Sequence, residues 1–168
     1  MHLMADITLG GNAVHTVGDL PPVGQKAPAF TVTTADVQDV TAADFGGKRV
    51  VLSIFPSVGT GVCAASERRF NELAGGLDNT QVVSVSMDLP FALSSFCAAE
   101  GIENVTATSA FRSSFGKDYG VLITDGKFAG LLARAVVVLD TDGTVLHSQL
   151  VPEIGQEPDY EAAISSLG

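Results

Sequence analysis

RVVLSIFPSVGTGVCAASERRF, residues Arg49 to Phe70, changes its periodicity half-way along. Val50-Val51-Leu52-Ser53-Ile54 is an almost unbroken β-branched and aliphatic run, as expected of a strand covered on both faces. Pro56 then removes a backbone donor, and Ser57-Val58-Gly59-Thr60-Gly61 is rich in turn formers. Beyond it Phe70, Leu73, Ala74 and Leu77 recur at spacings of three and four. This predicts a helix over about 62–77, ended by Gly75-Gly76 and Asp78-Asn79. Glu67, beside Arg68 and Arg69, reads as an exposed helix charge.

A strand feeding a helix through a short loop is half of a βαβ unit, and the rest of the chain continues the alternation. Strands are predicted at 49–55, 81–87, about 105–108, 134–139 and 144–151, with helices at about 62–77, 90–100 and 159–167. Asp140-Thr141-Asp142-Gly143 makes a hairpin of the last two strands, so the expected class is α/β with a central mixed β-sheet flanked by helices. Near the start, Ile7-Thr8-Leu9 and Ala13-Val14-His15-Thr16-Val17 flank Gly10-Gly11-Asn12, which predicts an N-terminal β-hairpin. Pro21-Pro22-Val23-Gly24 breaks the chain before a short strand at Phe30-Thr31-Val32-Thr33. With no repeat, low-complexity tract or linker, residues 1–168 are expected to form a single domain, the hairpin extension occupying 1–18.

Composition limits the partners. Apolar residues make up 46% and charged ones 17%, with mean hydropathy +0.32, which excludes a disordered chain. No apolar run approaches the roughly 18 residues of a membrane span. Nine basic against nineteen acidic side chains leave a net charge of -10, which repels a phosphate backbone or an anionic bilayer, so no nucleic acid and no membrane partner is expected. The first thirty residues lack a basic segment followed by an apolar one, and a cytoplasmic location is expected. Thiols are kept reduced there, so Cys63 and Cys97 are not expected to be a structural staple.

Cys63 admits two readings. Free cysteine is usually a small buried hydrophobe. A thiol in the first turn of a helix capped by Thr60, however, meets unpaired N–H groups and the positive end of the helix dipole, and such settings lower a thiol from about 8.5 to roughly 3.5–7.5. Pro56 fixes the end of the strand, and Gly59 and Gly61 allow close approach to whatever lies over the sulfur. Cys97, in the apolar run Phe91 to Ala99, reads by itself as filler. A competing reading takes Gly59-x-Gly61-x-x-Ala64 as a dinucleotide fingerprint, with Asp88 at the end of the next strand as the ribose-binding acid. Against it, Pro56-Ser57-Val58 separates strand from glycine, and too few strands follow for two mononucleotide halves. His2, His15, His147 and the cysteines lack metal-ligand spacing, so no metal and no cofactor is expected.

The run Pro56-Ser57-Val58-Gly59-Thr60-Gly61-Val62-Cys63 matches the P-x-x-x-[TS]-x-x-C motif of peroxiredoxins, and Thr60-Gly61-Val62-Cys63-Ala64-Ala65-Ser66 followed by Arg69-Phe70-Asn71 resembles their bacterial thiol peroxidase branch. Asp88-Leu89-Pro90-Phe91-Ala92, Phe96-Cys97, Phe115-Gly116, Tyr119-Gly120-Val121, Leu132 to Val138 and Glu157 to Ala163 extend the resemblance nearly end to end. It implies a thioredoxin-like fold and an atypical two-cysteine peroxiredoxin that reduces hydroperoxides, alkyl and lipid ones included, with electrons from thioredoxin, commonly as a homodimer. On that resemblance Cys63 is the peroxidatic nucleophile and Cys97 the resolving cysteine of an intramolecular disulfide. Arg134 holds the thiolate and the oxygen turning negative, Thr60 hydrogen-bonds into the site, and Pro56 covers the sulfur. Disulfide formation implies partial unwinding of both cysteine helices. Arg112 is either a support for Arg134 or a solvated side chain, and Phe115 and Tyr119 are packing residues. The chain departs from the family pattern at Gly59, where an aspartate is usual, and at Ser95, where a basic residue is common. A non-catalytic thioredoxin-like module is the other reading of the same fold.

Overall fold

The apolar runs at 50–54, 82–86 and 135–139 fold as expected, as strands buried on both faces. The computed structural model describes residues 5–168. In chain order it contains β1 (Asp6–Leu9), β2 (Asn12–His15), β3 (Thr31–Thr34), β4 (Asp39–Thr41), a 3-10 turn (Ala42–Phe45), β5 (Arg49–Ile54), α1 (Gly61–Ala74), β6 (Thr80–Ser86), α2 (Pro90–Glu100), β7 (Val105–Ser109), α3 (Phe115–Asp118), β8 (Ala135–Leu139), β9 (Val145–Leu150) and α4 (Tyr160–Ser165). Seven strands form one sheet in the order β4-β3-β7-β6-β5-β8-β9. β5, β6 and β7 run parallel, while β8, β9, β3 and β4 join antiparallel, so the sheet is mixed.

Strand residues alternate between two cores. Val50, Leu52 and Ile54 of β5 face one layer with Phe115, Tyr119, Ile7 and Val14. Val51 faces the other, where Phe70 of α1, Ile102, Ala163 of α4 and the half-buried Phe96 and Cys97 of α2 pack. β8 is sorted the same way, Val137 to the first layer and Val136 and Val138 to the second. The helical layer therefore puts α1 and α2, one cysteine each, over the same sheet surface.

The hairpin β1–β2 pairs Leu9 with Asn12, leaving Gly10 and Gly11 as a two-residue turn with φ of 59° and 83°. Asn12 belongs to the strand and not, as expected, to the turn. The hairpin docks through Thr8, whose N–H donates to Pro152 O at 2.8 Å and whose carbonyl accepts from Ile154 N–H at 2.9 Å. That docking brings Leu9 towards the segment after β9. Residues 1–4 of the expected 1–18 extension lie outside the described residues.

Three short elements were not expected: β4, the 3-10 turn and α3. Each has three or four residues, too few to establish a period. Helix α1 ends at Ala74, before Leu77, because Gly75 caps it; Leu77 still packs on the second core.

Candidate active site

The loop from β5 to α1 is fixed at both ends by side-chain hydrogen bonds. Thr60 is the N-cap of α1: its Oγ1 accepts from Cys63 N–H at 3.4 Å, and its hydroxyl donates to Ser57 O at 3.1 Å. Its hydrogen bond thus reaches the Cys63 amide. Asp88, just past β6, holds the other end, accepting from Ser57 Oγ at 2.7 Å, Val58 N–H at 2.9 Å and Ser86 Oγ at 2.7 Å. A carboxylate with these partners is engaged in the loop and not available as a ribose acceptor. Gly59 and Gly61 have no positive φ, and a Cβ at either would meet nothing closer than 3.4 Å. The close backbone packing of a dinucleotide turn is absent here.

Cys63 is fully buried, which by itself would suit a core filler. Arg134, immediately before β8, gives it a charged neighbour. Its Nη2 lies 3.1 Å from Cys63 Sγ, and its Nε donates to Ile154 O at 2.8 Å. Only 2% of this residue is exposed, and its buried Nη1 has no hydrogen-bond partner among the described residues. A buried guanidinium is retained where it meets an anion or an acceptor. Here one nitrogen meets the sulfur and another remains open beside it.

Beside Arg134 lies a cleft of about 130 Å³, lined by Leu9, Thr60, Gly61, Val62, Phe128, Arg134, Ile154 and Gly155, with Cys63 itself buried behind this lining. Leu9 comes from the hairpin, which explains what that appendage contributes. Pro56 is buried two residues past the end of β5 and does not line the cleft. Larger hollows exist, including one of about 530 Å³ beside Asp39 and Arg112, but they lie away from both thiols.

Cys97 does not line the cleft. It sits in the last turns of α2, its carbonyl accepting from the N–H groups of Gly101 and Ile102, and its thiol is half-buried in the second core. Burial first, then the nearby Glu67 carboxyl, pushes the Cys97 thiol up. Both cysteines are free thiols.

A family model described as Redoxin matches residues 22–164. A thiol peroxidase of Mycobacterium tuberculosis is 59% identical over 165 residues, 98% of this chain and 99% of the relative. One of Corynebacterium glutamicum is 52% identical over 164 residues, again 98% and 99%. The crystal structure of a peroxiredoxin-like protein from Aquifex aeolicus superposes with a TM-score of 0.91 at 41% identity, covering 98% of this chain and 96% of that one. The chain belongs to the Redoxin family. Its fold is the thioredoxin-like peroxiredoxin fold, and this Redoxin is an enzyme of the thiol peroxidase kind, whose activity is thiol-dependent peroxide reduction. The dinucleotide and non-catalytic readings fall with that finding.

Within the Redoxin site, one expectation is corrected. Glu67 is not an exposed helix charge: it is fully buried, its Oε2 accepting from Ser84 Oγ at 2.7 Å and its Oε1 without a partner among the described residues. The buried residues of α1 are Cys63, Ser66, Glu67 and Phe70, a three-and-four spacing that was present in the sequence. The charges at Arg68 and Arg69 mask it by making residues 67–69 look like one polar patch. Arg112 is exposed, paired with Asp39 Oδ1 at 2.9 Å and stacked over Phe111, so it does not support Arg134. Tyr119 and Phe115 stack at 4.4 Å within the first core, as expected of packing residues.

Proposed function

We propose that this Redoxin reduces hydroperoxides through Cys63 as peroxidatic thiolate and Cys97 as resolving thiol, and that thioredoxin recycles it. The observation that carries the reading is the Arg134 guanidinium, which lines a cleft and places one nitrogen 3.1 Å from Cys63 Sγ and another, buried and unpartnered among the described residues, beside it. The sulfur attacks the terminal peroxide oxygen, an S–O bond forms as the O–O bond breaks, and the departing alkoxide or hydroxide takes a proton to leave as alcohol or water. Arg134 Nη1, with no other acceptor among the described residues, is left to donate to the oxygen that becomes negative, the role of an oxyanion hole. Leu9, Val62, Phe128 and Ile154 give the cleft apolar walls, which suit the carbon chain of alkyl and lipid hydroperoxides.

In the second step the Cys97 thiolate attacks the Cys63 sulfenic sulfur, the S–O bond breaks, and hydroxide leaves and is protonated to water. A thioredoxin dithiol then gives two electrons to the disulfide. A disulfide holds its Cα atoms about 4.4–6.8 Å apart, and the two cysteines sit on different helices, so we infer that α1 and α2 partly unwind to bring the sulfurs together. Thr60 fixes the first turn of α1, and Pro56 shields the strand side of the loop. A dithiol cycle of this kind suits the reducing cytoplasm. The working unit is a single domain over residues 1–168, assembled as a homodimer.

Peroxide consumption with reduced thioredoxin tests the assignment. Cys63→Ser abolishes turnover, whereas Cys97→Ser reduces one equivalent of peroxide and stops with a trappable sulfenic acid. Turnover surviving in Cys63→Ser contradicts it.

A further inference from the structure

Glu67 stands one helical turn beyond Cys63 on the buried face of α1, with no surface exposed. One oxygen accepts from Ser84 Oγ and the other, also buried, accepts from no donor among the described residues. A buried carboxylate survives when several donors or a cation replace the water it has lost. A single hydroxyl does not replace it, and the neutral acid is the form this position suits.

The groups around it leave the charge uncompensated. Ser84 faces it from β6, Asp88 adds a like charge from just beyond β6, and the Cys97 thiol couples to it from α2. Arg68 and Arg69 on its own helix turn outward to Glu100 and Glu72, each at 3.3 Å. The Arg134 guanidinium is directed to Cys63 and Ile154. Burial, reinforced by Asp88 and opposed by Ser84, pushes the Glu67 carboxyl up to about 7.

We propose that Glu67 makes the unwinding of α1, and hence access of Cys97 to the Cys63 sulfenic acid, dependent on pH. This rests on the roles given above to the two cysteines. Glu67 is a positioning residue: it acts through the helix and not on either sulfur. While α1 is wound the side chain is a neutral acid up to about pH 7; when α1 unwinds in the range between 4.5 and 7, water reaches both oxygens and the proton passes to solvent. The wound form thus holds a proton that the unwound form releases. Its added stability is fully present below the ordinary value of 4.5 and is lost as pH rises through about 7. Peroxide reduction uses the wound form, with Arg134 against Cys63, whereas disulfide formation needs the unwound one. Rising pH across neutrality therefore favours the second step over the first.

The test is hydrogen exchange of the reduced full-length protein at about pH 5.5 and about pH 8, corrected for intrinsic exchange. Amides of α1 are expected to lose at least about tenfold protection at the higher pH, and those of Glu67→Gln, neutral throughout, to keep equal protection at both. Equal protection in the unaltered protein, or the same loss in Glu67→Gln, overturns the proposal. Because the unaltered protein also reports directly, the carbon-13 carboxyl signal of Glu67 is followed alongside: a midpoint near neutrality is expected, and one in the ordinary carboxylate range overturns it. In rapid-quench experiments after peroxide addition, the disulfide-forming rate of the unaltered protein relative to Glu67→Gln is expected to rise with pH. The corresponding ratio for sulfenic acid formation stays flat. A flat disulfide ratio overturns the proposal, whereas absence of any disulfide in both proteins refutes the cysteine assignment and leaves the exchange result standing.

Discussion

The Arg134 guanidinium touches Cys63 Sγ with one nitrogen at 3.1 Å while its buried Nη1 has no acceptor among the described residues. The two residues come from distant parts of the chain, one from the first turn of α1 and one from the approach to β8. They meet because β5 and β8 pair antiparallel with Ile54 opposite Ala135, which sets the end of one strand beside the start of the other. The pairing register therefore builds the site.

Removing the guanidinium should remove both the hydrogen bond to sulfur and the open donor. Loss of one oxyanion donor commonly lowers rates by about 10²–10³. Arg134→Ala is expected to lower the second-order rate of peroxide with the reduced enzyme by about that factor, measured by stopped flow. Arg134→Lys, with one compact cation in place of a fork, is expected to recover only part of it. An unchanged rate in Arg134→Ala contradicts the role.

Thr60 caps α1 through the Cys63 amide. Thr60→Ala is expected to destabilise the reduced protein by about 1 kcal/mol in denaturant unfolding and Thr60→Ser to restore most of it. Equal stability of the three proteins would show that the cap contributes nothing.

Asp88 joins the Cys63 loop to the turn entering the Cys97 helix through three accepted hydrogen bonds. Asp88→Ala leaves three donors without their acceptor, at a cost of about 1–3 kcal/mol, read as a fall in unfolding midpoint. Because Asp88 also disfavours the ionised form of Glu67, the same variant is expected to bring the Glu67 titration down towards 4.5. A Glu67 midpoint unmoved by Asp88→Ala contradicts that coupling.

His15 anchors the hairpin that supplies Leu9, with Nδ1 at 2.6 Å from Asp125 and Nε2 at 3.2 Å from Asp6. The hydrogen bond to Asp125 chiefly raises the imidazole above 6.5. The pairing stabilises docking fully below 6.5 and is lost as pH rises through the raised value. Amide protection in β1 and β2 is expected to fall over that window in the unaltered protein and to be flat in His15→Asn. A flat profile in both would remove the histidine from hairpin docking.

The central sheet and the cysteine loop were legible in the sequence because their signals are long or chemically specific. Val50 to Ile54 and Ala135 to Leu139 can only be strands buried on both faces, and Thr60 three residues before Cys63 is a cap at the right distance. β4 and α3 were illegible for want of length, since three or four residues carry no period. Glu67 was misread for a different reason: residue type outweighed position. The acid lies on the 63, 66, 67, 70 stripe, yet its charge suggested solvent, and only the hydrogen bond from Ser84 on the facing strand β6 reveals that it points inward. The link from Arg134 to Cys63 came from family resemblance, because a register between distant strands is not written in either segment alone.

The most direct measurement is titration of the fully reduced protein with an alkyl hydroperoxide, followed by mass analysis of the linked peptides. One equivalent is expected to consume both thiols and to join the Cys63 peptide to the Cys97 peptide within one chain. Peroxide consumption with both thiols intact, or with Cys63 unmodified, would contradict the account.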